Sequence, residues 1–93
     1  MPQARAHVLI GGIVQGVSFR YACQHEAAKY KTITGWVRNT WDGDVEAVFE
    51  GEKKEVEAMV AWCHKGPVSA DVRKVEIDWQ QPAGQFKTFS IRP

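Results

Sequence analysis

The stretch Gly12-Ile13-Val14-Gln15-Gly16-Val17-Ser18-Phe19-Arg20 decides how the chain is read. Upstream of it, residues 8–14 alternate as a strand, with Val8, Ile10 and Val14 opposite His7, Leu9 and Ile13. Apolar residues on both faces suit a central strand. Downstream, Phe19, Cys23, Ala27 and Tyr30 recur at spacings of four, four and three, which predicts one buried face of a helix over residues 19–31. A strand, a tight turn and a helix N-terminus therefore meet within a few residues. Such a junction gathers unpaired backbone N–H groups and the positive end of the helix dipole at one spot. Arg20 adds a permanent positive charge there. The physical expectation is a pocket for a phosphate or another small oxyanion. Gly11 and Gly12, costly inside a strand, mark a bulge or a close backbone approach, and their place beside the loop favours the second.

Working outward, residues 1–5 read as a loose leader. Beyond the first helix, a second strand is expected over residues 33–39. Asp42-Gly43 supplies a hairpin turn. A third strand over residues 44–50 sets Val45, Ala47 and Phe49 on one face and Glu46 and Glu50 on the other. Residues 52–65 form a second helix with the stripe Val56, Met59, Val60 and Cys63, stopped by Gly66-Pro67. Residues 72–80 read as a strand with Val75, Ile77 and Trp79 inward and Lys74, Glu76 and Asp78 outward. A last strand over residues 86–92 carries Phe89 and Ile91 on one face. The order β-α-β-β-α-β, closed by a pairing of two short C-terminal strands, predicts an α/β (α+β) two-layer sandwich of the ferredoxin-like kind. A mostly antiparallel sheet of four or five strands would carry two helices on one face.

With 93 residues, the chain has room for one domain, 1–93, and is too short for two. Twelve basic residues nearly balance eleven acidic ones, so neither nucleic acid nor a membrane surface is an expected partner. The longest apolar run is far too short to span a bilayer and makes a poor signal peptide. A cytoplasmic, monomeric protein is expected. Cys23 and Cys63 are too few for a disulfide scaffold or a zinc site and are expected as buried free thiols. His7, His25 and His64 are scattered, with no metal-ligand spacing and no nucleophile–base pairing. The nucleotide-binding G-x-x-x-x-G-K-[ST] run is absent.

Two motifs now carry a resemblance. Residues 12–20 resemble the first signature of the acylphosphatase family, and Gly35-Trp36-Val37-Arg38-Asn39-Thr40-Trp41-Asp42-Gly43-Asp44-Val45-Glu46 resembles the second. Order, spacing and chain length all match. The resemblance implies an α/β sandwich that hydrolyses the carboxyl–phosphate bond of acyl phosphates, without metal or cofactor, to a carboxylate and inorganic phosphate. It implies that Arg20 binds the phosphate, a role a planar guanidinium suits by engaging two oxygens at once. It implies that Asn39 orients the attacking water, since an amide both accepts and donates. It makes Gln15, Gly16, Val17, Ser18, Phe19 and Arg20 the loop whose main chain cradles the phosphate. Bland readings stand beside these: Arg20 paired to Glu26 or Asp42, and Asn39 as a turn former at a strand end.

Ser18 stands where the family often has glycine; its hydroxyl either contacts a phosphate or caps the helix, and capping is the favoured expectation. Arg38 should point to the opposite sheet face from Asn39. Trp41 either touches the acyl part of a substrate or is an exposed loop residue. Thr32 stands where the family usually has glycine, and Lys31 where leucine is common. Threonine accepts a left-handed helix stop poorly, so a strained or differently shaped connection before Ile33 is expected.

Two competing functions follow. A ferredoxin-like sandwich can bind single-stranded RNA on exposed sheet aromatics, for which Trp36, Trp79 and Phe89 are candidates. Acylphosphatase-like domains also occur in larger proteins that process carbamoyl phosphate, whereas a free-standing enzyme is expected here.

Overall fold

The computed structural model describes residues 2–93; Met1 lies outside the described residues. The elements are β1 (Gln3–Ile13), α1 (Phe19–Ala27), β2 (Thr34–Asn39), β3 (Val45–Glu52), α2 (Lys53–Cys63), β4 (Asp71–Gln80) and β5 (Phe89–Ile91). They form one mixed sheet in the order β4-β1-β3-β2-β5, antiparallel except for the parallel β2–β5 pair. The ferredoxin-like sandwich is present, with a fifth strand added at the β2 edge.

The alternation read in β1 and β3 is the alternation of the core. Ala6, Val8 and Ile10 of β1 and Val45, Ala47 and Phe49 of β3 are fully buried, against Phe19, Cys23 and Ala27 of α1 and Val56, Met59, Val60 and Cys63 of α2. Both predicted helical stripes are thus the faces that cover the sheet. Phe19 and Trp62 meet across the helices at 5.3 Å. Cys23 and Cys63 are buried free thiols. Burial pushes the Cys23 thiol up, and its hydrogen bond with Cys63 adds to this, so it stays protonated.

Several boundaries differ from the sequence reading. Most of residues 1–5 is no leader: β1 begins at Gln3, and Ala4 and Arg5 pair with Gly51 and Glu50. The signal was the continued alternation of small Ala4 and Ala6 with Arg5, weak because alanine carries little hydrophobicity. Gly11 and Gly12 are both a bulge and a close approach. The β1–β4 register shifts between them, and a Cβ on Gly12 would stand 2.2 Å from the Asp71 carbonyl oxygen. The first helix ends at Ala27 rather than Lys31; Lys29 and Tyr30 donate their N–H groups to Glu26 and Ala27, winding out in i→i−3 turns.

β4 and β5 do not pair; they lie at opposite edges of the sheet. Residues 81–88 cross between these edges over the face away from the helices, where Ala83 and Gly84 donate their N–H groups to buried Glu50. Val75, Ile77 and Trp79 do lie on the helix side, opposite Ile10, Val8 and Ala6. Because β4 is an edge that no helix covers, Ile77 and Trp79 nevertheless remain exposed.

At Thr32 the connection is differently shaped rather than strained. Among the described residues, Ser18 is the only non-glycine with positive φ. Thr32 is a hydrogen-bond hub instead. Its N–H and hydroxyl both donate to Glu55 Oε1, at 2.9 and 2.6 Å, and its Oγ1 accepts from the N–H of Glu52, which precedes α2.

Candidate active site

β1 delivers the chain to the loop and α1 carries it away, as the junction predicts. The loop takes its shape from two left-handed residues, Gly16 at φ 76° and Ser18 at φ 63°. Alternating the sign of φ turns successive N–H groups toward one concavity. Among the described residues, none of the backbone N–H groups of residues 15–20 makes a close, well-aligned hydrogen bond to a protein acceptor. Donors gathered in this way at a helix N-terminus form a backbone nest, a shape suited to an anion.

The nest is fixed from three sides. Phe19 is buried in the core. The Ser69 hydroxyl donates to the Val17 carbonyl at 2.9 Å, holding the loop from behind. The Gln15 side chain donates from Nε2 to the Thr40 carbonyl at 2.6 Å and the Asp44 carbonyl at 2.8 Å. This last pair ties the loop to the β2–β3 hairpin. The hairpin is itself closed by the Thr40 N–H to the Asp44 carbonyl, and by the Thr40 hydroxyl, which donates to Asp42 and accepts from the Asp44 N–H.

Asn39 ends β2 opposite Val45, on the helix side of the sheet. It therefore faces the nest. Gly16, Ser18, Phe19, Arg20 and Asn39, with Val14 and Tyr21, line one pocket of about 250 Å³. Arg20 and Asn39, nineteen positions apart, thus share one small space. Neither Glu26 nor Asp42 holds Arg20: Glu26 pairs with Lys29, and Asp42 accepts from Thr40. Among the described residues, neither the Arg20 guanidinium nor the Asn39 carboxamide has a protein partner, and no carboxylate lines the pocket.

The side chains of two residues of the expected loop face away from the pocket, which leaves their main chain in the loop. The Gln15 side chain points at the hairpin, and Val17 packs against the core; neither lines the pocket. Val14 and Tyr21 line it without having been singled out. The favoured Ser18 cap is absent: its backbone is left-handed rather than in the extended conformation of a capping residue, and its hydroxyl makes no capping bond. Trp41 is fully exposed and lies outside the pocket.

Arg38 points to the other face, as expected, where it pairs with Glu46 at 2.7 Å over the Trp36 ring. His7 meets the same carboxylate at 2.6 Å. Burial pushes the Glu46 carboxyl up, but its hydrogen bonds to His7 and Arg38, and the charge of Arg38, outweigh this and leave it below the usual range. The candidate RNA-stacking aromatics do not share a surface. Trp36 lies on the open face under Arg38 and Arg92, while Phe89 and Trp79 lie on the helix side. Among the described residues, no group of three or more His, Cys, Asp or Glu side chains could hold a metal ion, and no helix is long and apolar enough to cross a membrane.

A family model described as Acylphosphatase matches residues 6–91. The acylphosphatase of Roseiflexus sp. (strain RS-1) is 50% identical over 91 residues, covering 98% of this chain and 97% of that one. Among solved structures, the acylphosphatase from Bacillus subtilis aligns with a TM-score of 0.90 at 31% identity, over 97% of this chain and 99% of that one. The acylphosphatase from Coxiella burnetii gives 0.89 at 33% identity, over 97% and 93%. With both signatures in place, the sheet order that joins them and near-complete agreement in length with these relatives, the chain belongs to the acylphosphatase family.

Proposed function

We infer that the chain performs its family's reaction, hydrolysis of the carboxyl–phosphate bond of acyl phosphates, through the nest, Arg20 and Asn39. The phosphoryl group sits in the concavity of residues 15–20, its peripheral oxygens taking the open N–H groups and the Arg20 guanidinium. These donors are in place before the reaction, so they stabilise charge on the transferring group without reorganising. The Asn39 Oδ1 accepts a hydrogen bond from a water, and its Nδ2 donates to a phosphoryl oxygen. The water is held in line with the bond to be broken. Its oxygen forms the new bond to phosphorus as the bond from phosphorus to the carboxyl oxygen breaks, and that electron pair leaves on the carboxylate. A carboxylate is a stable leaving group, so no protonated side chain is required beside it. The attacking water's proton passes to solvent or to the product phosphate.

The observation that carries this reading is the shared pocket. An unpaired arginine, an unpaired amide and a set of open N–H groups line one space free of carboxylates. The test is turnover of acetyl phosphate by purified wild type, Arg20→Ala and Asn39→Ala. Each substitution is expected to lower kcat/KM by about 10²-fold or more, with circular dichroism and Tm close to wild type. Full activity in either variant would sink the assignment of that residue.

A further inference from the structure

A second concavity, of about 650 Å³, runs beside the anion pocket between the outer side of α1 and the β5 edge of the sheet. We propose that this groove receives the acyl group of the substrate, and that the chain prefers apolar acyl phosphates of medium length. The proposal rests on the hydrolytic reading above and names the substrate class within it.

Continuity comes first. Tyr21 lines both the anion pocket and the groove. In this proposal the carboxyl group attached to a phosphate in the nest lies beside Tyr21, the residue common to the two concavities. That ring is 68% exposed, an aromatic surface which an acyl chain would cover. The chemistry of the walls comes second. Ala28, Tyr30, Ile33 and Phe89 make them apolar, and no Asp, Glu, Lys or Arg lines the groove. A charged acyl tail would find only Gln24, His25 and the tyrosine hydroxyls there, and no fixed charge to pair with. Shape comes third. Phe89 stacks on the core residue Phe49 at 5.5 Å, so this wall is anchored rather than mobile. From Arg20 to Ala28, α1 and its cap advance about 12 Å at roughly 1.5 Å per residue, the reach of a medium-length alkyl chain. From this helix and its cap, Tyr21, Gln24, His25 and Ala28 line the groove, with buried Ala27 at its floor.

An acyl tail that lies in the groove equally in the ground and transition states lowers KM and leaves kcat alone. With acetyl and octanoyl phosphate as the two substrates, wild type is expected to show similar kcat. Its KM for octanoyl phosphate should be at least about tenfold lower. Ala28→Glu, which puts a carboxylate into the apolar wall, should remove that preference by raising the octanoyl KM. Independently of turnover, octanoate titrated into nitrogen-15-labelled wild type should shift the amide resonances of Ala28, Tyr30 and Phe89. Equal KM values for the two substrates in wild type, a preference that survives Ala28→Glu, or octanoate shifts confined to residues 15–20 would each overturn the proposal. Absence of acetyl phosphate turnover in wild type would instead count against the hydrolytic reading, and the octanoate titration would still decide whether the groove takes an acyl chain.

Discussion

Ser18 shows how one residue both shapes the site and carries its strain. A left-handed backbone costs an L-residue about 1–2 kcal/mol, part of which a glycine avoids and part of which it returns as unfolded-state freedom. The Ser18 hydroxyl makes no capping bond that would be lost. Ser18→Gly is therefore expected to stabilise the chain by about 0.5–1 kcal/mol, read as a Tm higher by a few degrees. A lower Tm would mean that the hydroxyl does more than the backbone suggests. The residue scale is also where the sequence was most and least informative. Arg20 was a candidate from local spacing, because strand, turn and helix are contiguous, although the first signature was needed to favour it over a surface ion pair. Asn39 was not, since its approach depends on the β2–β3 register, and only the second signature pointed to it. A serine ahead of a helical stripe reads as a cap by default. The glycine of related chains at that position was the better signal, since it reported the sign of φ.

At the scale of elements, the site depends on how the loop is held to its neighbours. Gln15 joins the nest to the hairpin that carries Asn39, through two carbonyls that only a donor can satisfy. In Gln15→Glu a carboxylate would face both. The nest and Arg20 are local to the loop, so inhibition by inorganic phosphate should change by no more than a few-fold. Asn39 would shift relative to the phosphate, and misplacement by about 1 Å costs up to about 10²-fold. The expected result is a kcat at least tenfold lower with near-normal phosphate affinity; equal losses in both would make Gln15 merely part of the loop's stability. The hub at Thr32 joins the end of α1 to the start of α2 in a similar way. The hydrogen bonds from the Thr32 hydroxyl and N–H hold the Glu55 carboxyl below the usual range. A carboxyl depressed in the folded state gives stability that is present above its unfolded pKa, about 4.3, and is lost as pH falls through the folded value. Thr32→Gly should cost about 1–2 kcal/mol at neutral pH and flatten the acid limb of a Tm-against-pH curve. Helix stripes and strand alternation made these elements legible. The hub was not, because the family's glycine suggested a left-handed stop that this chain replaces with hydrogen bonds.

At the scale of the whole molecule, the least legible feature was the path from β4 to β5. Consecutive strands usually pair, and the alternation in residues 72–80 did not reveal that their inner face would lie at an uncovered edge. What directs residues 81–88 across the sheet is polar: Glu50 accepts from Gly84 N–H at 2.6 Å, Ala83 N–H at 3.3 Å and Arg5 at 3.3 Å. Arg5 also donates to Gln80 and Gln85 and lies 5.2 Å from the centre of the Phe86 ring. A glutamate on the polar face of a strand reads as solvated, and only tertiary contact makes it a buried clasp. Removing one partner of such a cluster strands the others, which costs more than the net worth of the bonds. Glu50→Ala is expected to destabilise by about 2–4 kcal/mol, with faster amide exchange at residues 83, 84 and 89–91. Glu50 pairs with Thr34 at the start of β2, whereas Asn39 lies at its other end, so the clasp and the anion pocket occupy opposite ends of the sheet. Well below its lowered Tm, Glu50→Ala should therefore hydrolyse acetyl phosphate with a kcat/KM close to wild type. A loss of turnover that tracks the loss of exchange protection in β5 would show that the strap supports the site through the sheet, and that stability and catalysis are coupled across the molecule.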